Sequence, residues 1–350
     1  MSVQPAIDRT LPGRPASRNP DPRALVRELL RPEAYPGPRA SGVEVRHTHG
    51  SWVFLNDREA WKVRRPVEDA LLDLPDADRR RRCCEEELRL GRRLAPDVYW
   101  EVVPIQRGTA GHAFVGSGPV VDFALRMRRL PEEDSAAMLA AQGRLTARHL
   151  QALAETMARF YAAAPPVLDR PGLGRASVVE NYQQALPFAG RLLDGALLQR
   201  VYHWQREMVA ERELPLLDRA ARGRIREGHG DLRLEHVYFP GGRAEAPVVI
   251  DPLVPASDRC ADVALDVAFL VMDLEAQRRP DLTATFLGRF ASATDDYDLY
   301  PLIDLYVSHR AFTRARVACL VAADPATAPA KASRKAAEAN RLLALAASYI

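Results

Sequence analysis

Apolar residues change their spacing once along this chain, and that change limits the folds open to it. Up to residue 127 they come in short runs with β-like alternation. After Pro131 they spread through long Ala- and Leu-rich segments with helical spacing. The short runs are Val43-Glu-Val-Arg, Trp52-Val-Phe-Leu and Ala60-Trp-Lys-Val, separated by Thr48-His-Gly and Asn56-Asp turn material. A helix is expected over 76–94, stopped by Pro96. Strands return over 98–105 and 120–127, where Val121, Phe123, Leu125 and Met127 share one face. Further helices are expected over 135–142, 146–164 and 192–221. One interruption breaks the helical half, at His229-Gly-Asp-Leu-Arg-Leu-Glu-His-Val-Tyr-Phe and then Pro247-Val-Val-Ile-Asp, where β-like runs flank loops bearing His and Asp. Helices resume after Cys260, and no internal repeat is present. The expectation is an α+β chain with a small β-rich lobe over 39–130, containing one helix, and a large mainly helical lobe over 131–350.

Residues 1–38 carry Pro5, Pro12, Pro15, Pro20, Pro22, Pro32, Pro36 and Pro38 among small and charged residues, which points to a disordered segment with only 24–30 helical. The rest can bury a large core, since 47% of the residues are apolar and 27% charged. A net charge of +3 argues against a nucleic-acid partner, and Arg79-Arg80-Arg81-Arg82 is expected on a solvated helix face. The most apolar stretch, 263–274, is interrupted by Asp266 and Asp273, and no apolar leader opens the chain, so neither membrane spanning nor export is indicated. Adjacent Cys83 and Cys84 with isolated Cys260 and Cys319 make neither a disulfide framework nor a metal knuckle; the pair is expected in the core, and a cytoplasmic setting is expected.

Of the 49 basic residues, all but Lys62, Lys331 and Lys335 are arginine. A lysine that stands alone in an arginine-rich chain hints that a compact ammonium is wanted there. Lys62 lies on the third short strand. The next helix carries Glu85, Glu86 and Glu87; neighbours on a helix are about 100° apart, and Glu87 is best phased with Leu90 and Leu94 to meet a partner. His229-Gly-Asp231 places one carboxylate on a tight loop, and Asp251 ends the run Val248-Val-Ile, so a pair of short strands could bring both carboxylates to one pocket. Two hard oxygen ligands suit magnesium.

In the order Lys62, Glu87, His229-Gly-Asp231 and Asp251 the chain resembles the protein kinase-like superfamily, in particular its aminoglycoside phosphotransferase branch. The resemblance extends over residues 40–320 through Thr48-His-Gly-Ser-Trp-Val-Phe-Leu, Trp61-Lys-Val-Arg-Arg-Pro-Val, Cys84-Glu-Glu-Glu-Leu-Arg-Leu-Gly, Met127-Arg-Arg-Leu-Pro and Asp262-Val-Ala-Leu-Asp-Val-Ala-Phe-Leu. It implies a bilobal protein kinase-like fold and an ATP- and magnesium-dependent phosphotransferase acting on a hydroxyl of a small molecule such as a sugar, a sugar acid or an aminoglycoside-like compound. GTP in place of ATP, manganese in place of magnesium, and the oligomeric state stay open.

The same resemblance implies roles. Lys62 would hold the α- and β-phosphates and pair with Glu87; Ser51 in the Thr48–Trp52 turn and backbone near Met127 and Arg128 would also meet the nucleotide, between the lobes. Asp231 would orient or deprotonate the acceptor hydroxyl, with His229 and Arg233 beside it and Arg233 near the transferring phosphoryl group. Asp251 would bind metal, and Asp266 would brace the loop. Several positions depart from the family pattern. His236 replaces the usual metal-ligating asparagine, Pro252 replaces a glycine after Asp251, and the Thr48–Trp52 turn has one glycine. These departures keep a nucleotide-binding pseudokinase open, and a metal-dependent hydrolase using His229, Asp231, His236 and Asp251 is a third reading. Relatives can carry a P-loop kinase domain, but no Gly-x-x-x-x-Gly-Lys occurs in these 350 residues, so that activity is not expected of them. Arg310 and Arg314 fall one turn apart on a late helix, and an anionic acceptor is favoured if that face lines the cleft.

Overall fold

The computed structural model describes residues 19–48, 50–67, 73–168, 172–325 and 327–350. The chain divides into two compact units, Met1–Arg129 and Leu130–Ile350.

In the first unit, α1 (Pro22–Leu29) precedes β1 (Glu44–His47), β2 (Ser51–Leu55) and β3 (Glu59–Arg64). Then come α2 (Ala77–Gly91), β4 (Tyr99–Gly108), β5 (Gly111–Ala113) and β6 (Val120–Arg128). The strands form one antiparallel sheet in the order β1-β2-β3-β6-β4-β5. Its core includes Trp52, Phe54, Trp61, Val63, Ile105 and Ala124.

One expectation is met here and one is corrected. Of the segment expected to be disordered apart from 24–30, residues 1–18 lie outside the described residues, and α1 stands where that helix was expected. Pro22 opens α1 and Asp21 caps it by accepting from the Arg23 amide, while Leu25 and Leu29, one turn apart, are buried against the sheet core. Tyr35 packs edge-on to Trp61 with ring centroids 5.3 Å apart. Arg80 leaves the solvated face expected for its run. It is fully buried, with Nε 3.0 Å from both Asp122 oxygens and Nη1 donating to Leu74 O at 3.1 Å. Cys83 and Cys84 are buried free thiols.

The second unit begins with α3 (Ala136–Ala141), α4 (Ala147–Ala163), α5 (Arg175–Ala185), α6 (Gly195–Glu211) and α7 (Glu213–Ala221). It continues with β7 (Ile225–Glu227), β8 (Val237–Tyr238), β9 (Val248–Val249), α8 (Ala256–Arg259), β10 (Cys260–Asp262) and α9 (Val263–Ala276). It closes with α10 (Pro280–Thr294), α11 (Ile303–Ala323) and α12 (Pro329–Ala347). The single helix expected over 192–221 is two, because Pro215 has no N–H to give the carbonyl four residues back and cannot sit inside a continuous helix.

Helix α9 is mostly apolar and almost wholly buried, packed by α10 and α11. Its start is fixed by Asp262. One oxygen of that carboxylate caps the helix by accepting from the Ala264 amide, and the pair receives Arg219 at 2.7 and 2.8 Å and the Tyr306 hydroxyl at 2.8 Å. Arg219 also reaches Asp296 at 2.6 Å. This buried network sets the register in which α9 presents Asp266 and Asp273. Among the described residues no helix is long and apolar enough to cross a membrane.

Candidate functional site

Each unit gathers its own group of charged side chains. In the first, Lys62 sits in mid-β3, paired with Val53 on β2 and Leu125 on β6. Its Nζ donates to Glu87 Oε1 at 2.9 Å, and both side chains are buried. Of the three consecutive carboxylates on α2, Glu85 meets Arg81 and Glu86 meets Arg89 at the surface, each at 2.8 Å, while Glu87 turns inward. Sequence reasoning missed the second cation on Glu87. Arg64, two residues after Lys62 and therefore on the same face of β3, pairs with Glu87 Oε2. Its period-2 spacing from Lys62 was the available signal.

The residues expected to meet a nucleotide in this unit have the following surroundings. Ser51 is buried at the start of β2; its hydroxyl accepts from Arg64 Nη1 at 3.4 Å and its amide donates to Thr48 Oγ1 at 3.0 Å, so it supports Arg64. Met127 and Arg128 belong to a strand with neighbours on both edges. Met127 is paired with Ala60 and Tyr99, and the Arg128 amide donates to Val98 O at 2.9 Å.

In the second unit, the loop after β7 carries His229, Gly230 and Asp231. Asp266 holds it from below: Oδ2 accepts from the His229 amide at 2.6 Å and from the Tyr161 hydroxyl at 2.9 Å, and Oδ1 accepts from the Gly230 amide at 2.9 Å. The approach leaves no room for side chains. A Cβ on Gly228 would lie 2.4 Å from Asp266 Oδ2, and Gly230 has φ +83° with Leu253 3.0 Å from where its Cβ would be. Two turns along α9, Asp273 Oδ2 accepts from the Leu234 amide at 3.0 Å and lies 3.7 Å from Arg233 Nε.

His229 is fully buried. Its Nε2 donates to Ile250 O at 2.9 Å and its Nδ1 accepts from the Asp231 amide at 3.3 Å, which makes the ring neutral, and burial pushes its pKa down. The histidine expected beside the chemistry is thus a strut between two loops. The same pair of loops is closed by Ile250 N to His236 O and Leu253 N to His229 O, each 2.9 Å. Between those bonds stands Asp251, with φ 63°, a left-handed backbone that aspartate tolerates better than most residues.

His236 stands between the two carboxylates. Its Nδ1 donates to the Asp231 carbonyl at 2.8 Å and lies 3.6 Å from Asp231 Oδ2, while Nε2 lies 3.7 Å from Asp251 Oδ2 and 3.7 Å from Glu235 Oε1. Burial pushes the Asp231 pKa up, but His236, Arg314 and Arg233 together outweigh it and hold the carboxyl below its usual range. Arg233 is pinned by Glu235 on Nη1 and by Asp273 near Nε. Its burial opposes the charge, yet Asp273, Glu235 and Asp231 raise its pKa further.

The late pair of arginines divides. Arg310 Nε donates to Leu265 O at 3.0 Å and its guanidinium lies 4.0 Å over the Phe269 ring, a packing role. Arg314 belongs instead to the electrostatic surroundings of Asp231, Arg233, Glu235 and Asp273. Among the described residues no group of three or more His, Cys, Asp or Glu is arranged to hold a metal ion. The hydrolase reading, which needs His229, Asp231, His236 and Asp251 as joint ligands, is therefore corrected, because His229 uses both ring nitrogens on backbone.

No protein-family profile matches the chain. An uncharacterised protein of Mycobacterium tuberculosis is 31% identical over 294 residues, which cover 82% of this chain and 57% of the relative; the chain thus spans little more than half the length of the curated relatives it matches. Among solved structures, a Ralstonia eutropha protein assigned by name to the aminoglycoside phosphotransferases aligns over 94% of this chain and 98% of its own, with a TM-score of 0.52 at 14% identity. A spectinomycin phosphotransferase in complex with ADP and spectinomycin aligns over 92% and 97%, with a TM-score of 0.51 at 11% identity. At such identities the likeness is one of fold.

Proposed function

We propose that this chain, which has the protein kinase-like fold, is a phosphotransferase that moves the γ-phosphoryl group of ATP to a hydroxyl of a small molecule. The observation that carries the reading is the arrangement Asp231–His236–Asp251: two carboxylates on loops that are hydrogen-bonded together, with one imidazole between them. Fold alone licenses no activity, so the argument rests on these side chains.

The residues fit the groups such a reaction uses. Lys62 and Arg64, gathered on Glu87, are an ammonium and a guanidinium of the kind that bind phosphate oxygens. Asp251 offers a hard oxygen donor to magnesium. His236, whose Nδ1–H is committed to Asp231 O, presents Nε2 on the Asp251 side, and an oxygen–nitrogen pair there would suit manganese better. Bound metal would neutralise charge on the phosphates.

This chain's own residues then do the following. Asp231, ionised, accepts a hydrogen bond from the acceptor hydroxyl and takes its proton as the new O–P bond forms and the bond from the γ-phosphorus to the β-phosphate oxygen breaks, releasing ADP. Asp266 and His229 hold Asp231 in place. Arg233, held by Glu235 through Nη1 and flanked by Asp273, would turn its Nη2 to the transferring phosphoryl group, where a fixed cation lowers the energy of developing charge.

The test is transfer from ATP across a panel of small alcohols, with wild type against Asp231→Asn. Equal and negligible rates in both would sink this reading. They would leave the second one, a nucleotide-binding module without catalysis, which His236 in the asparagine position favours.

A further inference from the structure

Among the described residues, one strong cation in the electrostatic surroundings of Asp231 makes no hydrogen bond or ion pair of its own. Arg314 lies on α11 one turn beyond Arg310, and Arg310 rests on Leu265 and Phe269 of α9, so Arg314 comes level with Asp273 of that helix. Its Nε is buried and makes no hydrogen bond, while part of the side chain stays open to solvent. The carboxylates around it are taken. Glu235 pairs with Arg233, and Asp273 accepts from the Leu234 amide and faces Arg233 as well.

The neighbouring helix adds charge of the same sign. α11 and α12 run antiparallel, with Ser308 Oγ donating to Ala346 O at 2.8 Å. Six residues on, about 9 Å along the axis, Arg314 falls level with the part of α12 around Asn340. That helix presents Lys331, Arg334, Lys335, Glu338 and Arg341 on one face, along an open groove of about 510 Å³. Lys335 pairs with Glu338 at 2.6 Å, and Glu338 in turn acts on Arg233, which ties the groove to the Asp231 loop.

We propose that the acceptor is an anion-bearing alcohol, a sugar or polyol carrying a phosphate or carboxylate, whose anionic group is held by Arg314 and by the cationic face of α12 while its hydroxyl meets Asp231. The proposal rests on the phosphotransferase reading above. An unpartnered guanidinium and a lysine- and arginine-lined groove reject a polycationic acceptor by like-charge repulsion as firmly as they attract an anion.

Calorimetric titration with ribose 5-phosphate, ribose and kanamycin, with AMP-PNP present and absent, tests it. We expect ribose 5-phosphate to bind at least about tenfold more tightly than ribose, and kanamycin not to bind. Arg314→Gln should weaken ribose 5-phosphate about tenfold, and the exposed Arg334→Gln, which leaves the core untouched, about two- to threefold. Saturating AMP-PNP should leave that binding in place. Equal binding of ribose and its phosphate, no binding of either, unchanged binding by both variants, tight kanamycin binding or displacement by AMP-PNP would each overturn it. Arg314-dependent binding of the phosphate in a protein that transfers nothing from ATP would sink the phosphotransferase reading and leave the anion site standing.

Discussion

Asp266 and Asp273 stand two turns apart on one face of α9 and hold the two ends of the loop that carries Asp231. Asp266 takes the amides of His229 and Gly230, and Asp273 takes the amide of Leu234 and faces Arg233. The buried helix thereby fixes both the carboxylate and the guanidinium of the proposed site. Asp266→Ala would leave two buried N–H groups without acceptors, at about 1–3 kcal/mol each. We expect a loss of roughly 2–5 kcal/mol in urea unfolding and transfer activity near background. Asp273→Asn, which can still accept from Leu234, should cost little stability but lower the transfer rate by freeing Arg233.

Gly228 and Gly230 should resist substitution for different reasons. A Cβ at Gly228 meets Asp266 Oδ2, while Gly230 has φ +83° and is also crowded by Leu253. Gly230→Ala is expected to cost at least about 1–2 kcal/mol from the backbone conformation alone. A denaturation midpoint equal to wild type would contradict the description of the loop.

Acid should weaken the second unit through buried, neutral histidines. Burial, with Arg310 and Arg316 nearby, pushes His309 down to about 3 from 6.5. Below about pH 6.5 the unfolded chain takes up a proton there that the folded chain refuses, so stability falls between pH 6.5 and 3 and is fully present above that window. The loss from this group should reach about 1.4 kcal/mol by pH 5.5. Chemical denaturation of His309→Gln at pH 7.5 and 5.5 should show a correspondingly smaller difference than wild type.

His236 should decide the metal. With Nδ1 bound to Asp231 O and Nε2 near Asp251, it offers nitrogen where magnesium prefers oxygen. His236→Asn is expected to raise magnesium-supported activity relative to manganese-supported activity. The ratio of the two rates is the measurement, and no change in it would remove His236 from the metal's surroundings.

Much of this was legible in the sequence, and the exceptions have specific causes. Glu87 could be singled out from its neighbours because helix phase is a local property. The pairing of Met127 and Arg128 could not, since it depends on β6 lying between β3 and β4, an order no local pattern reveals. Asp273 was visible only as a charge interrupting an apolar run, although its seven-residue spacing from Asp266 carried the two-turn relationship. Arg310 and Arg314 look equivalent in sequence; Phe269 on the opposing helix separates them. The helix at α1 was legible in the local pattern over 24–30, but its burial against the sheet core through Leu25 and Leu29 was not.

The central claim is that Asp231 receives the acceptor's proton during transfer from ATP. The most direct measurement is production of ADP and phosphorylated alcohol by wild type, Asp231→Asn and Lys62→Arg, each shown to be folded by its thermal midpoint. We predict turnover in wild type, a loss of at least about a hundredfold in Asp231→Asn, and impaired nucleotide use in Lys62→Arg, where a flat guanidinium replaces the ammonium beside Arg64. Wild-type rates retained in Asp231→Asn would contradict the account.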